Sequence, residues 1–464
     1  MKVAFVSNYI NHHQIPLCDA LFGRPEVDFV FLETEPMEEE RRAMGWGSAA
    51  GAPPYVKRLY EDGTLGEKLM RESDIVLFGW TKREDLARLR LSLGKPIIRL
   101  SERLYREGQW KWISPRGLAD KYRSHTKYRN AQAWLLCCGA YVASDFSLIR
   151  AYPGKMYRWG YFPRTIREKG RPAESDPAGA AGGSTEPVPG AASGDRAPLR
   201  ILYAGRLMPL KHPEYALMLA GALRERGIPF TLTIIGGGGM REYLEDTARK
   251  KGFSVSAGDM ILPDSPDDAG IMNSPDSSVI PSDADGKPEA VDRSGQIRTE
   301  KTPGKSPGGK PQIRFTGAVS PDSVRLAMAE ADLFLFPSNH LEGWGAVVNE
   351  AMNAGCCVLA GSGAGAVPYL VVQGVNGLIF RDEDGADFVA KGLWAAEHPD
   401  RIRAMGEAAR RTILTEWNAE TAAARLHEFM ECITAGRPYV PAKSGPLSPA
   451  PVIKPFIGVP ELKD

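Results

Sequence analysis

The sequence predicts an α/β protein of two domains, each built around a parallel sheet. Three observations predict it. Apolar runs of strand length alternate with helix-period segments through residues 1–167 and again through 199–434, the pattern of parallel strands joined by crossover helices. Residues 168–198 are rich in Ala, Gly, Ser and Pro, cannot bury a core, and read as a disordered linker between the halves. Glycines, cations and carboxylates gather just after predicted strands, where open α/β sheets bind ligands.

In the first half, residues 2–7 read as a buried strand and Gln14–Phe22 as the first helix, with Pro16 tolerated in its opening turn. Between them lies Asn8-Tyr9-Ile10-Asn11-His12-His13. Adjacent histidine side chains diverge and no Cys or carboxylate cluster accompanies them, so capping or hydroxyl contacts are expected there rather than a metal. Further strands fit Val27–Leu32, Asp74–Phe78, Pro96–Leu100 and Ala133–Cys138. After Leu100 comes Ser101-Glu102-Arg103, where Glu102 either orients a hydroxyl or pairs with Arg103 or Arg106.

From Arg99 to Arg129 there are nine Lys or Arg against three Asp or Glu, with Trp110 and Trp112 interleaved. This is either a surface that attracts anionic lipid head groups or a phosphate-bearing acceptor, with the tryptophans at the interface, or an ordinary solvated basic face. Tyr157–Pro163 closes the domain at the cleft.

The second half opens with the strand Arg200–Ala204, then Gly205-Arg206-Leu207-Met208-Pro209-Leu210-Lys211 and a helix from Pro213. Arg206 offers a planar fork and Lys211 a flexible ammonium, together suited to neutralising a diphosphate, although a lone Arg and Lys are more often surface residues. Phe230–Ile235 is the next strand. Gly236 to Gly239 follow it, and either let a ligand approach or make a plain turn. Residues 254–312, full of Asp, Ser, Pro and Gly, read as a disordered insertion, whose Asp283-Ala284-Asp285 cannot preorganise a metal.

The most informative stretch begins after the apolar run Ala331–Phe336. The loop Pro337–Gly345 opens a helix that ends at Gly355, and the amides of Gly343 to Ala346 are expected unpaired at its start, where the helix dipole favours a phosphate. Glu342 lies in the loop and Glu350 more than a turn inside the helix. Each carboxylate can accept two hydrogen bonds from the hydroxyls of a sugar or ribose. Two glutamates eight apart also arise by chance, and Glu350 falls outside the apolar side of the helix, which fits a solvated residue equally well.

The stretch from Ala331 to Gly355, with its Pro-Ser loop, Glu-Gly-Trp-Gly turn and Glu-Ala-Met helix, resembles the E-x7-E segment of the GT-B glycosyltransferases, in particular the retaining enzymes of glycosyltransferase family four (glycosyl transferases group 1). Gly205-Arg206 with Lys211 resembles that family's second signature, in the family order. The resemblance implies two Rossmann-like domains with parallel sheets facing across a cleft, and transfer of a sugar, with retention, from a nucleotide diphosphate sugar to a glycan or lipid-linked acceptor. It further implies that Arg206 and Lys211 hold the diphosphate, Glu342 the donor sugar, Glu350 the ribose, and Gly236, Gly343, Trp344 and Gly345 the donor's surroundings. Ser101 stands where many such enzymes have a histidine, and Glu102 at the acidic position beside it. That departure keeps a non-catalytic scaffold, or a sugar-nucleotide epimerase, as an alternative. No metal and no cofactor is expected beyond the donor. Polysaccharide or glycolipid assembly follows from the family analogy.

Gly361-Ser362-Gly363-Ala364-Gly365-Ala366 also fits a dinucleotide fingerprint, but late in its domain and without the acidic partner. Residues 386–430 read as largely helical, with a last helix that crosses back to the first domain in such folds, and residues 435–464 as a Pro-rich tail.

The chain has 464 residues, a net charge of +1, 25% charged and 43% hydrophobic residues, a globular composition that gives no argument for nucleic acid. Its six cysteines show no C-x-x-C spacing and read as buried reduced thiols. The N-terminus turns polar too soon for a signal peptide, and the uncharged run 351–380 is interrupted by Asn, Gly and Pro. A cytoplasmic protein, in peripheral contact with the inner membrane face if the basic stretch meets lipid, is the expectation.

Overall fold

The computed structural model describes residues 1–39, 51–167, 197–258 and 312–455. The linker expected over 168–198, apart from its last two residues, and 259–311 of the expected insertion lie outside them.

In the first domain the strands are β1 (Lys2–Ser7), β2 (Asp28–Glu33), β3 (Val56–Arg58), β4 (Ile75–Phe78), β5 (Ile97–Ser101), β6 (Ala133–Cys138) and β7 (Met156–Trp159). They form one parallel sheet in the order β3-β2-β1-β4-β5-β6-β7. In the second, β8 (Leu199–Ala204), β9 (Phe230–Ile235), β10 (Ser254–Ala257), β11 (Gln312–Thr316), β12 (Leu333–Phe336), β13 (Cys357–Gly361) and β14 (Leu378–Phe380) pair in parallel as β10-β11-β9-β8-β12-β13-β14. Central strands such as Ile75–Phe78 and Leu333–Phe336 are buried at every position, because helices cover both faces of each sheet.

Both sheets reverse their winding beside their first strand. β8 lies between β9 and β12, just as β1 lies between β2 and β4. Crevices outside the carboxyl ends of strands at such switch points are where doubly wound sheets bind ligands.

Two expectations are corrected. The ends of the segment expected as an insertion over 254–312 are strands: Ser254–Ala257 pairs with Gln312–Phe315, extending the sheet by its edge strand. The polar alternation of Ser254-Val255-Ser256 suits an edge and merges in composition with the residues that follow it. The segment expected as a Pro-rich tail over 435–464 begins with a strap that runs antiparallel along β7. Leu447 N donates to Arg158 O at 2.9 Å, Arg158 N to Ser448 O at 2.8 Å and Ala450 N to Met156 O at 3.0 Å. Leu447 and Ser448 are fully buried. The strap caps the open edge of the first sheet, and proline is tolerated in such an edge segment.

The helix Ala419–Thr434, capped by Asn418 Oδ1 accepting from Thr421 N at 2.8 Å, packs on Ile15–Phe22 of the first domain. It sets Phe429 against Trp134 and Tyr157. One apolar cluster therefore runs from Phe5 and Leu17 through Trp159 and Phe162 to Trp344 and Trp417, across both domains. All six cysteines are free and buried.

Candidate functional site

The two cation and carboxylate segments follow neighbouring strands. β8 pairs with β12, with Tyr203 opposite Leu335, so the loops leaving their carboxyl ends meet at the switch point. Asn339 N donates to Leu210 O at 3.0 Å and ties the loops together. There Lys211 Nζ forms an ion pair with Glu342 Oε2, both side chains about one-sixth exposed at 17% and 16%. Arg206 stands on the same loop, exposed and without an ion pair among the described residues. Its carbonyl accepts from Tyr203 Oη at 3.2 Å.

The loop after β9 lies against this one. Gly236 adopts φ +136°, and a Cβ there would stand 2.1 Å from Gly205 O. Its glycine is required for loop-to-loop contact. Its amide is spent on Gly317 O at 3.2 Å, so the predicted donor contact does not come from that group.

The helix Ala346–Ala354 begins at Gly345, which holds φ +88° where a Cβ would meet Phe336 at 2.7 Å. The amides of Gly343 to Val347 have no protein acceptor among the described residues. An anion placed there would meet unpaired N–H groups and the positive end of the helix dipole. Glu350 is not the solvated residue its helical position allows. Its side chain is 14% exposed, with Arg325 Nη1 3.8 Å away, and burial pushes its carboxyl up to about 7 against the opposing pull of Arg325.

From the first domain, Glu102 reaches the same turn. A Cβ on Gly343 would lie 2.7 Å from a Glu102 carboxylate oxygen, so only glycine lets the two approach. Glu102 accepts from Tyr161 Oη at 2.7 Å and pairs with Arg106. Arg103, the other partner considered, turns inward to Asp145 in a buried pair, with Nε 3.3 Å from Oδ2. Ser101 Oγ donates to the Glu102 carbonyl at 2.8 Å. The pairing of Glu102 with Arg106 is the one the i+4 spacing allows, whereas Tyr161 and Arg325 were not singled out as site residues. For Tyr161 the aromatic run Tyr157–Pro163 was the available signal.

Trp344 offers this turn its unpaired backbone amide, not its ring. Its ring is 1% exposed, its Nε1 donates to Asn349 Oδ1 at 2.8 Å, and it is walled by Tyr369, Trp417 and Gly160. It fixes the turn from behind and presents no face to a ligand. The glycine loop 361–366 likewise serves backbone packing. Gly365 N donates to Gly343 O at 3.1 Å, and Ala140 N to Gly365 O at 2.9 Å. A Cβ on Gly365 would lie 2.4 Å from Gly343 O, which explains the fingerprint-like glycines without a dinucleotide.

His13 N donates to Asn11 Oδ1 at 3.0 Å, and burial followed by the neighbouring His12 lowers the His13 ring to about 3. His340, Asp382 and Glu383 bring ligand-capable atoms within 4.8 Å of one another. Hydrogen bonds from His340 Nδ1 to Asp382 Oδ2 and from Asn339 Nδ2 to Glu383 Oε1, both 2.8 Å, knit that group together. On the basic stretch, the 3-10 turn Gln109–Ile113 and the helix Pro115–Ser124 bury no residue, leaving Trp110 68% and Ile113 64% exposed.

Residues 298–412 match the family model described as glycosyl transferases group 1. A GDP-mannose-dependent alpha-(1-6)-phosphatidylinositol monomannoside mannosyltransferase of Mycobacterium tuberculosis is 36% identical over 134 residues, 27% of this chain and 34% of that protein. The chain thus spans about a third of the length of the curated relatives it matches. Among solved structures, Anabaena HepE in complex with UDP superposes with a TM-score of 0.56 at 12% identity, over 93% of this chain and 100% of that one. Sucrose-phosphate synthase of Thermosynechococcus elongatus gives 0.55 at 13% identity, over 94% and 100%. At these identities the likeness is one of fold.

Proposed function

From a chain that has the GT-B glycosyltransferase fold and whose residues 298–412 match glycosyl transferases group 1, we propose a glycosyltransferase that moves a sugar from a nucleotide diphosphate sugar to an acceptor hydroxyl. One observation carries the reading. Lys211 and Glu342, 131 residues apart in sequence, meet at the switch point beside the unpaired amides of the helix Ala346–Ala354. A diphosphate there would face Arg206, Lys211 and those amides, which offset the charge that grows on the leaving group. Glu342 would receive sugar hydroxyls and Glu350 the ribose. Glu102, across the cleft from Gly343, would receive the acceptor hydroxyl.

Retention and a place in polysaccharide or glycolipid assembly follow from the family resemblance. The mannosyltransferase relative and the UDP complex of HepE support a nucleotide sugar donor and leave the base open between guanine and uracil. No helix among the described residues is long and apolar enough to cross a membrane. The exposed Trp110, Trp112 and Ile113 amid basic residues favour peripheral contact with an anionic bilayer.

Thermal unfolding with UDP, GDP and their sugar conjugates tests the reading. Ligand at one hundred times its Kd adds about 2.7 kcal/mol. One nucleotide should raise the Tm of the wild type, and the shift should vanish in an Arg206→Ala, Lys211→Ala double variant. No shift with any nucleotide, or one that survives in the variant, overturns the donor site.

A further inference from the structure

A cavity of about 490 Å³ opens in the first domain beside the Glu102–Ile113 segment, the helix Val142–Leu148 and the end of the C-terminal strap. Its polar wall is Arg103, Arg106, Gln109, Ser144 and Lys454. Arg103 is balanced by Asp145, with Gln109 Nε2 also donating to Asp145 Oδ1 at 2.8 Å, and Arg106 is balanced by Glu102. Among the described residues Lys454 has no ion pair, and Arg106, 40% exposed, is held by Glu102 alone, so Arg106 can turn toward an arriving anion.

We infer that this cavity takes the phosphate ester of an anionic acceptor, between Arg106 and Lys454, and that the phosphate draws Arg106 away from Glu102. The inference rests on the glycosyl-transfer reading for the word acceptor. It adds the acceptor's chemical class. A phosphate both accepts hydrogen bonds from guanidinium and ammonium and neutralises their charge, whereas a neutral glycan hydroxyl can only accept the bonds. Once Arg106 is engaged, Glu102 keeps its bond from Tyr161 at 2.7 Å and its place against Gly343, with its other oxygen open to an acceptor hydroxyl.

The rim is apolar in a way that suits a lipid. The Trp110 ring folds over Gly108, where a Cβ would stand 2.6 Å from it, and Gly108 lines the cavity. Trp110 and Ile113, on the 3-10 turn that follows Gly108, are exposed, and Val452 on the strap is 57% exposed. A lipid phosphate seated in the cavity would carry its chains out past these side chains into a bilayer.

The test uses the full chain and two probes: glycerol 3-phosphate by calorimetry, and phosphatidylcholine vesicles with and without phosphatidylglycerol by co-sedimentation. At least one probe should bind. In an Arg106→Gln, Lys454→Gln double variant that binding should weaken by about tenfold or more, as expected when charge-assisted bonds are lost. Binding of glycerol 3-phosphate alone assigns the phosphate to a soluble acceptor, and binding of anionic vesicles assigns it to a lipid. Two results overturn the inference: neither probe binds, or the double variant binds as the wild type does while Trp110→Ala, Ile113→Ala loses binding. The nucleotide-induced Tm shift separates the two readings. Its absence in the wild type defeats the donor site, and its persistence in the double variant with lost phosphate binding leaves both standing.

Discussion

Gly343 and Glu102, from different domains and 241 positions apart, are packed so that a Cβ on the first would lie 2.7 Å from the carboxylate of the second. The place where the domains meet is therefore also where the E-x7-E turn meets the first domain's carboxylate. Gly343→Ala must push Glu102 or the turn aside. Nucleotide release from UDP-glucose or GDP-mannose, whichever nucleotide binds, should fall roughly 100-fold, the scale of a 1 Å misplacement. Tm should change little, since Glu102 sits at a cleft. An unchanged rate would remove Glu102 from the reacting centre.

The Lys211–Glu342 pair predicts opposite effects for its two ends. Glu342 occupies the ammonium that the proposed donor site offers to a diphosphate. Glu342→Gln should free Lys211 and tighten nucleoside diphosphate binding several-fold while abolishing sugar transfer. Lys211→Met should weaken binding by about 1.5–3 kcal/mol, the range for a hydrogen bond to a charged group. Calorimetry on both variants checks this, and equal losses would refute it.

Glu350 gives a pH signature. Burial raises its folded pKa to about 7, above the 4.5 of an ordinary glutamate. The folded state thus holds a proton that the unfolded chain releases between those values. Stability is favoured below 4.5, is lost as pH rises toward 7, and is flat above. The slope from this group approaches about 1.4 kcal/mol per pH unit at most. Glu350→Gln should flatten urea-derived stability over that window. Nucleotide affinity should run the other way in the wild type, rising toward pH 7–8 as the carboxylate ionises to receive ribose hydroxyls.

Trp344 anchors the turn from behind, against Gly160, where a Cβ would stand 2.3 Å from the ring. Gly160→Ala should cost about 1–3 kcal/mol by overpacking. Trp344→Ala should cost about 3–5 kcal/mol by the cavity it leaves, with Asn349 losing its indole donor. Urea denaturation of both variants measures it.

The central strands were legible because their burial on both faces makes them continuous apolar runs. Lys2–Ser7, Ala133–Cys138 and Phe230–Ile235 lie where periodicity puts them. Short edge strands such as Val56–Arg58 and Leu378–Phe380 were not, since three residues carry no period. At the site, Lys211 and Glu342 were legible as motif residues, whereas their contact depends on β8 and β12 being neighbours. That the Trp344 ring packs inward while its amide stays open was not legible, because flanking glycines mark close packing as readily as ligand approach. The Glu102–Arg106 pair was legible from its i+4 spacing, whereas Tyr161 needed the cleft itself, where it shares that carboxylate.

The strap along β7 changes what counts as a domain here. The first sheet is completed by residues 447–450, and its Trp134 and Tyr157 are covered by Phe429, so the chain leaves its first lobe and returns to finish it. The second lobe is in effect spliced into the first and tethered at both of its ends. A jaw with two tethers is confined to far fewer ways of swinging than one on a single hinge. A fragment cut at residue 167 would bare an unpaired strand edge and an aromatic surface, and should aggregate where the whole chain does not.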